Sequence, residues 1–180
     1  VSDGSNILLD ARSAGDEPFL LAQRLPGIPV LTCPNRHLAG HYAWAKFQAQ
    51  AVILDDGFQH IQLARDVNLL LVDATNPWGN RKLVPRGLLR EPTSQVSRAD
   101  AVILTKCGDP RAAETGNVSA HPVGHPRIFR STYVPRATLN LYTGARAEPS
   151  ALQGKRVYAF CGIAEPRSFE TTIRGLGASV

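Results

Sequence analysis

Four apolar runs that end abruptly set the strongest constraint on this chain. They are Ala51–Leu54 before Asp55-Asp56-Gly57, Val67–Val72 before Asp73, Ala101–Leu104 before Thr105-Lys106, and Val157–Cys161 before Gly162. A run without polar alternation is a strand covered on both faces, and such strands belong to parallel sheets flanked by helices. Helical patterns stand among them. Pro18–Leu25 has proline in its first turn and Asp16 and Glu17 at its positive end. Residues 37–50 place Leu38, Tyr42, Ala45 and Phe47 at near-helical spacing, weakened by Gly40. A third helix is expected from about Pro166 to Leu176. Ile7–Leu9 and Pro29–Thr32 are shorter strand candidates. The pattern predicts an α/β fold built on a doubly wound, mostly parallel sheet. Residues 127–143 carry β-type residues and predict a small antiparallel excursion. The expected division is a core over 1–126 and a second part over 127–180.

Composition narrows the function classes. A chain of 180 residues can bury a real core as one domain or slightly more. Its longest apolar runs are too short to span a bilayer, and it opens without a signal-peptide pattern. Cys33, Cys107 and Cys161 are too widely spaced for a zinc site or a disulfide framework, which fits a reducing compartment. His37, His41, His60, His121 and His125 form no zinc pattern. The 20 basic against 15 acidic residues give a net charge of +5, which favours anionic partners. The charges are scattered and no nucleic-acid-binding motif occurs, so nucleic acid is not an expected partner. There is no methionine in the sequence, which begins at Val1, and a processed product or a fragment is expected.

In open α/β sheets, ligands bind beyond the carboxyl ends of the strands. An apolar strand ending in Asp55-Asp56 has the form of a Walker-B element, whose carboxylates hold Mg²⁺ beside a nucleotide phosphate. Gln59 and His60 follow at the mouth. The same tripeptide also suits a hairpin turn. Asp16 and Glu17 can act as a general base and a metal ligand side by side, or simply cap a helix. The connection over 74–92 is long and rich in Pro, Gly and Arg. Its arginines suit phosphate or acidic head groups, and Trp78 among basic residues suits a membrane interface. Solvated surface charge is the alternative. The segment 108–126 is rich in Gly, Pro and His and reads as a loop. Thr105 and Lys106, at a strand end, are candidate contacts to a nucleotide base.

Several of these segments together resemble the tetraacyldisaccharide 4'-kinase family. They are Ala14-Gly-Asp-Glu-Pro18, Asp55-Asp-Gly-Phe-Gln-His60 with Leu63-Ala-Arg-Asp66, Trp78-Gly-Asn80, Pro85 through Leu89-Arg-Glu-Pro92, and Ala159-Phe-Cys-Gly-Ile163. The resemblance implies a P-loop-kinase-like fold and transfer of the ATP γ-phosphate to the 4'-hydroxyl of tetraacyldisaccharide 1-phosphate, a lipid A precursor. It also implies Mg²⁺ and a place at the cytoplasmic face of the bacterial inner membrane. By the same resemblance Asp16 is the catalytic base and Asp56 its partner in catalysis. Glu17 and Asp55 are the metal carboxylates, and Arg36, Gln59, His60 and Arg90 contact the substrate. Three departures stand out. The chain carries no phosphate-binding glycine loop, which the resemblance places upstream, and no Asp-His-His segment, placed downstream. Pro85-Arg86-Gly87-Leu88 stands where the family pattern has Pro-Ala-Gly-Pro. The chain is thus expected to be a central fragment, inactive alone, with a non-catalytic lipid- or nucleotide-binding module as the alternative.

Overall fold

The structure, a computed structural model, describes residues 1–108 and 127–180. The loop expected over 108–126 therefore lies, apart from its first residue, outside the described residues, as do His121 and His125. The chain forms two compact units, Val1–Asp66 and Val67–Val180.

The first unit is mainly helical. α1 (Ala11–Ala14) is capped by Asp10, whose carboxylate accepts from the Ser13 amide at 2.9 Å. α2 (Asp16–Arg24) follows at once. Gly15 between them sits at φ 92°, a backbone region that glycine enters without a Cβ penalty. α3 (Arg36–Phe47) begins at Asn35, whose side chain accepts from the Leu38 amide at 3.2 Å. It ends at Gln48 in a left-handed conformation, φ 52°. Ser2 forms isolated bridges with Ile7 and Val30, so the strand candidates around Ile7 and Val30 reduce to single pairings. Val1, Ser2, Ala22 and Ala43 are the buried residues of this unit.

The second unit holds the sheet. β1 (Leu69–Asp73), β2 (Ala101–Thr105) and β3 (Arg127–Arg130) lie in that order, all parallel. Asp100 ties the three strand starts together: its carboxylate accepts from the Asn68 amide at 2.7 Å, its amide donates to Asn68, and its carbonyl accepts from Arg127. Central β2 supplies the best-buried side chains, Val102 and Leu104, with Val72, Ala74, Val96 and Ala99 also buried. β4 (Thr138–Leu139) and β5 (Arg146–Ala147) form a small antiparallel pair. The antiparallel excursion is thus present, but Arg127–Arg130 belongs to the parallel sheet. α4 (Pro166–Gly175) begins with proline in its first turn. Two of the four expected strands do not form: Ala51–Leu54 has no strand pairing among the described residues and Ile53 is 95% exposed, while Val157–Cys161 reduces to one parallel bridge at its start, Arg156 with Ser179, where the Val157 amide donates to the Ser179 carbonyl at 2.8 Å. A strand exists only where a neighbour takes its backbone hydrogen bonds, and apolarity alone does not supply one.

Candidate active site

The first unit carries most of the expected site residues. Asp16 and Glu17 are exposed in the first turn of α2, where the helix dipole favours negative charge. Arg36 opens α3, and its guanidinium donates to the Cys33 carbonyl. Asp55 to His60 run through two successive turns, Asp55-Asp56 and Phe58-Gln59, with Gly57 between them. Asp56 is left-handed, φ 50°, a conformation that Asp tolerates better than most residues. A Cβ on Gly57 would lie 2.7 Å from the Leu54 Cβ, so only glycine fits. The Gly57 carbonyl accepts from the His60 amide at 3.0 Å and also from the Arg65 guanidinium, which reaches the Phe58 carbonyl at 3.5 Å. No paired strands flank this segment among the described residues, so it does not close a hairpin. Asp55 and Asp56 are presented at the surface.

The second unit gathers a strand-end cluster. The Lys106 ammonium pairs with the Asp73 carboxylate. Thr75 donates to the other Asp73 oxygen through its hydroxyl at 2.6 Å and its amide at 2.9 Å. The Thr105 hydroxyl donates to the Val72 carbonyl at 3.4 Å. Burial works against the Asp73 charge, but Lys106 and Thr75 outweigh it and hold the carboxyl below its ordinary value. The Asp73 hydrogen bond raises the Lys106 pKa against the effect of burial. Sequence reasoning named Thr105 and Lys106 but missed Asp73 and Thr75. The available signal was an acidic residue ending an apolar run beside another run that ends in lysine.

Arg90 lies exposed in the connection between β1 and the 3-10 turn Thr93–Arg98. This connection is cross-braced. The Asn80 side chain donates to the Arg86 carbonyl at 2.9 Å and accepts from the Lys82 amide at 3.1 Å. Val84 and Leu89 bond through their backbones at 3.0 Å. A Cβ on Gly87 would lie 2.2 Å from the Asn80 Oδ1 and the Lys82 carbonyl. Glu91, next to Arg90, pairs with Arg98. Asn80, marked in the sequence only as part of the Trp78-Gly-Asn80 motif, and Arg98, which lies beyond the 74–92 connection, are further residues that sequence reasoning gave no individual role.

The first unit thus presents exposed carboxylates on a turn, and the second carries a charged cluster at the ends of parallel strands, the place where open α/β folds bind ligands. The family model for LpxK, tetraacyldisaccharide-1-P 4'-kinase, matches residues 1–180, and the chain belongs to that family. It is 43% identical over 189 residues to a tetraacyldisaccharide 4'-kinase of Syntrophus aciditrophicus, covering 100% of this chain and 50% of the relative. It is 41% identical over 187 residues to one from Desulfatibacillum aliphaticivorans, covering 99% and 49%. A solved structure described as the apo form of LpxK from Aquifex aeolicus in complex with ATP is similar at TM-score 0.73 and 30% identity. That match covers 100% of this chain and 54% of the solved one. The fold is accordingly that of the P-loop kinases. The chain spans about half the length of the curated relatives it matches.

Proposed function

We propose that the protein containing this chain phosphorylates the 4'-hydroxyl of tetraacyldisaccharide 1-phosphate with ATP, a step of lipid A biosynthesis. The observation that carries this reading is the Asp55–His60 segment, with Asp55 and Asp56 exposed and its course fixed by Gly57 and Arg65, in a chain matched to the kinase family over residues 1–180. Asp16 takes the proton of the attacking hydroxyl, and Asp56 supports that step. Gln59, His60, Arg36 and Arg90 orient the anionic acylated substrate. Thr105 and Lys106 face the nucleotide. Because the Lys106 charge is already answered by Asp73, its contribution to a base comes from its stem rather than from a free ammonium.

The donor set fits Mg²⁺. Among the described residues, no group of three or more His, Cys, Asp or Glu side chains is gathered to hold a metal alone. Mg²⁺ bound with a nucleotide needs only one or two protein carboxylates, the rest being water and phosphate oxygens. In this reading Asp55 and Glu17 would supply them, and the ion would neutralise charge on the phosphoryl oxygens.

We place the reaction at the cytoplasmic face of the bacterial inner membrane, with this part of the protein lying peripherally on it and with no nucleic-acid partner. Among the described residues no helix is long and apolar enough to cross a membrane. The net charge of +5 suits an anionic lipid. The test is phosphate transfer from labelled ATP by the complete gene product. Asp16→Ala is expected to lower turnover by about 10²–10⁴-fold, the usual worth of a general base, with ATP binding retained. Near-wild-type turnover rejects the base assignment. A wild-type protein that forms no 4'-phosphorylated product rejects the function.

A further inference from the structure

We infer that the tip of the connection over residues 79–90 is the part of this protein that touches an anionic bilayer. The inference rests on the membrane placement proposed above and names the surface that carries it. Arg81, Lys82 and Arg86 are exposed, and no Asp or Glu occurs from Gly79 to Arg90. Three large apolar side chains stand among these cations in the open: Leu83 at 43%, Val84 at 63% and Leu88 at 75% exposure. Exposed apolar side chains interleaved with cations suit a surface of negative head groups over hydrocarbon.

The loop holds this presentation by its own bonds. Asn80 braces Lys82 and Arg86, and the backbone bonds between Lys82, Val84 and Leu89 close the loop on itself. Arg86 and Leu88 also stand where the family pattern described above has Ala and Pro. This chain thus adds one cation and one large apolar group at the tip.

The experiment is co-sedimentation of the complete gene product with phosphatidylcholine vesicles, with and without phosphatidylglycerol, at low and high salt. Wild type is expected to partition more strongly onto the anionic than onto the neutral vesicles, by a margin that salt reduces. Arg86→Glu and Lys82→Glu should each lower the partition coefficient by about fivefold or more, the effect of removing one basic residue near an anionic surface. Leu88→Ser should lower it as well. Arg12→Glu, an exposed charge reversal in the first unit, is the control for net charge and should change it far less. All these side chains are exposed, so unchanged thermal midpoints are expected. Loop variants that bind like wild type, or an Arg12→Glu loss equal to that of Arg86→Glu, overturn the inference while leaving the membrane placement standing. A wild type that binds neither vesicle overturns the placement itself.

Discussion

Lys106 closes onto Asp73 across the ends of two adjacent parallel strands, one residue beyond the register pair Asp73–Thr105. Lys106 is left-handed at φ 59°, which turns the chain out of the strand just where its side chain bonds back to β1. The Asp73 carboxylate is fully engaged, with Thr75 on one oxygen and Lys106 on the other. The pair fixes the mouth of the sheet at the place where open α/β folds bind ligands.

The pair gives stability a defined pH window. The Asp73 pKa is lowered, so its contribution is present above about pH 3.9, the ordinary Asp value, and lost as pH falls through the lower folded value. The Lys106 pKa is raised, so its contribution is complete below about pH 10.4 and lost as pH rises through the higher folded value. The Asp73 side chain is 37% exposed, and solvent screening holds the worth of such a pair to about 1 kcal/mol or less. Asp73→Asn should therefore cost at most that amount in urea unfolding at pH 7, and the difference from wild type should shrink at an acid pH at which the lowered Asp73 carboxyl is protonated. An equal difference at both pH values would show that the ion pair is not its source.

α3 offers two substitutions of opposite sign on one helix. A Cβ at Gly40 meets nothing within 4 Å, and glycine inside a helix is worse than alanine by about 0.5–1 kcal/mol. Gly40→Ala should raise the thermal midpoint. Asn35 caps the same helix through the Leu38 amide, and Asn35→Ala should cost about 0.5–2 kcal/mol. Thermal unfolding of the two single variants and of the double variant checks both, with near-additive effects expected. A lowered midpoint in Gly40→Ala would mean that the helix exterior there is covered.

The helices were the most legible part of the sequence because their ends carry local signals. Proline in the first turn of α2 and of α4 is decided by the chain itself, whereas the Asn35 cap that starts α3 was not read from the sequence. β1 and β2 were also readable, as apolar runs that stop at Asp73 and Thr105. The same signal at Ala51–Leu54 and Val157–Cys161 did not yield strands, since pairing is decided by distant chain and not by the run. Residues 127–143 showed β character, yet nothing local told Arg127–Arg130 to lie parallel beside β2 while Thr138–Leu139 turned back antiparallel to β5. At the site, the Asp55–His60 segment was legible because Gly57 is required by its geometry. The Lys106–Asp73 pair was not, because its partners lie 33 positions apart.

Two glycines should be intolerant of alanine for steric reasons. At Gly87 the new Cβ would meet a backbone carbonyl at 2.2 Å, and at Gly57 the Leu54 Cβ at 2.7 Å. Overpacking of this kind costs about 1–3 kcal/mol. Limited proteolysis should show faster cleavage within 79–90 in Gly87→Ala and within 51–60 in Gly57→Ala. Gly162→Ala, where nothing lies within 4 Å, is the matched control. Cleavage unchanged from wild type in either variant would show that its loop relaxes without strain.

The carboxylate turn makes a prediction separate from that for the base. Asp55 sits on a turn braced by Arg65 through the Gly57 carbonyl, so replacing its charge need not disturb the turn. Asp55→Asn keeps the size of the side chain and removes the anionic oxygen that a hard cation prefers. If Asp55 holds Mg²⁺, half-saturating Mg²⁺ for phosphate transfer should rise by at least about tenfold, the effect of losing even an outer partner of a metal. Turnover at saturating Mg²⁺ should fall less than in Asp16→Ala, because the proton acceptor is intact. Titration of the complete gene product with Mg²⁺ at fixed ATP separates the two roles. An unchanged Mg²⁺ dependence with a large loss of turnover would move Asp55 from the metal to the proton-transfer step.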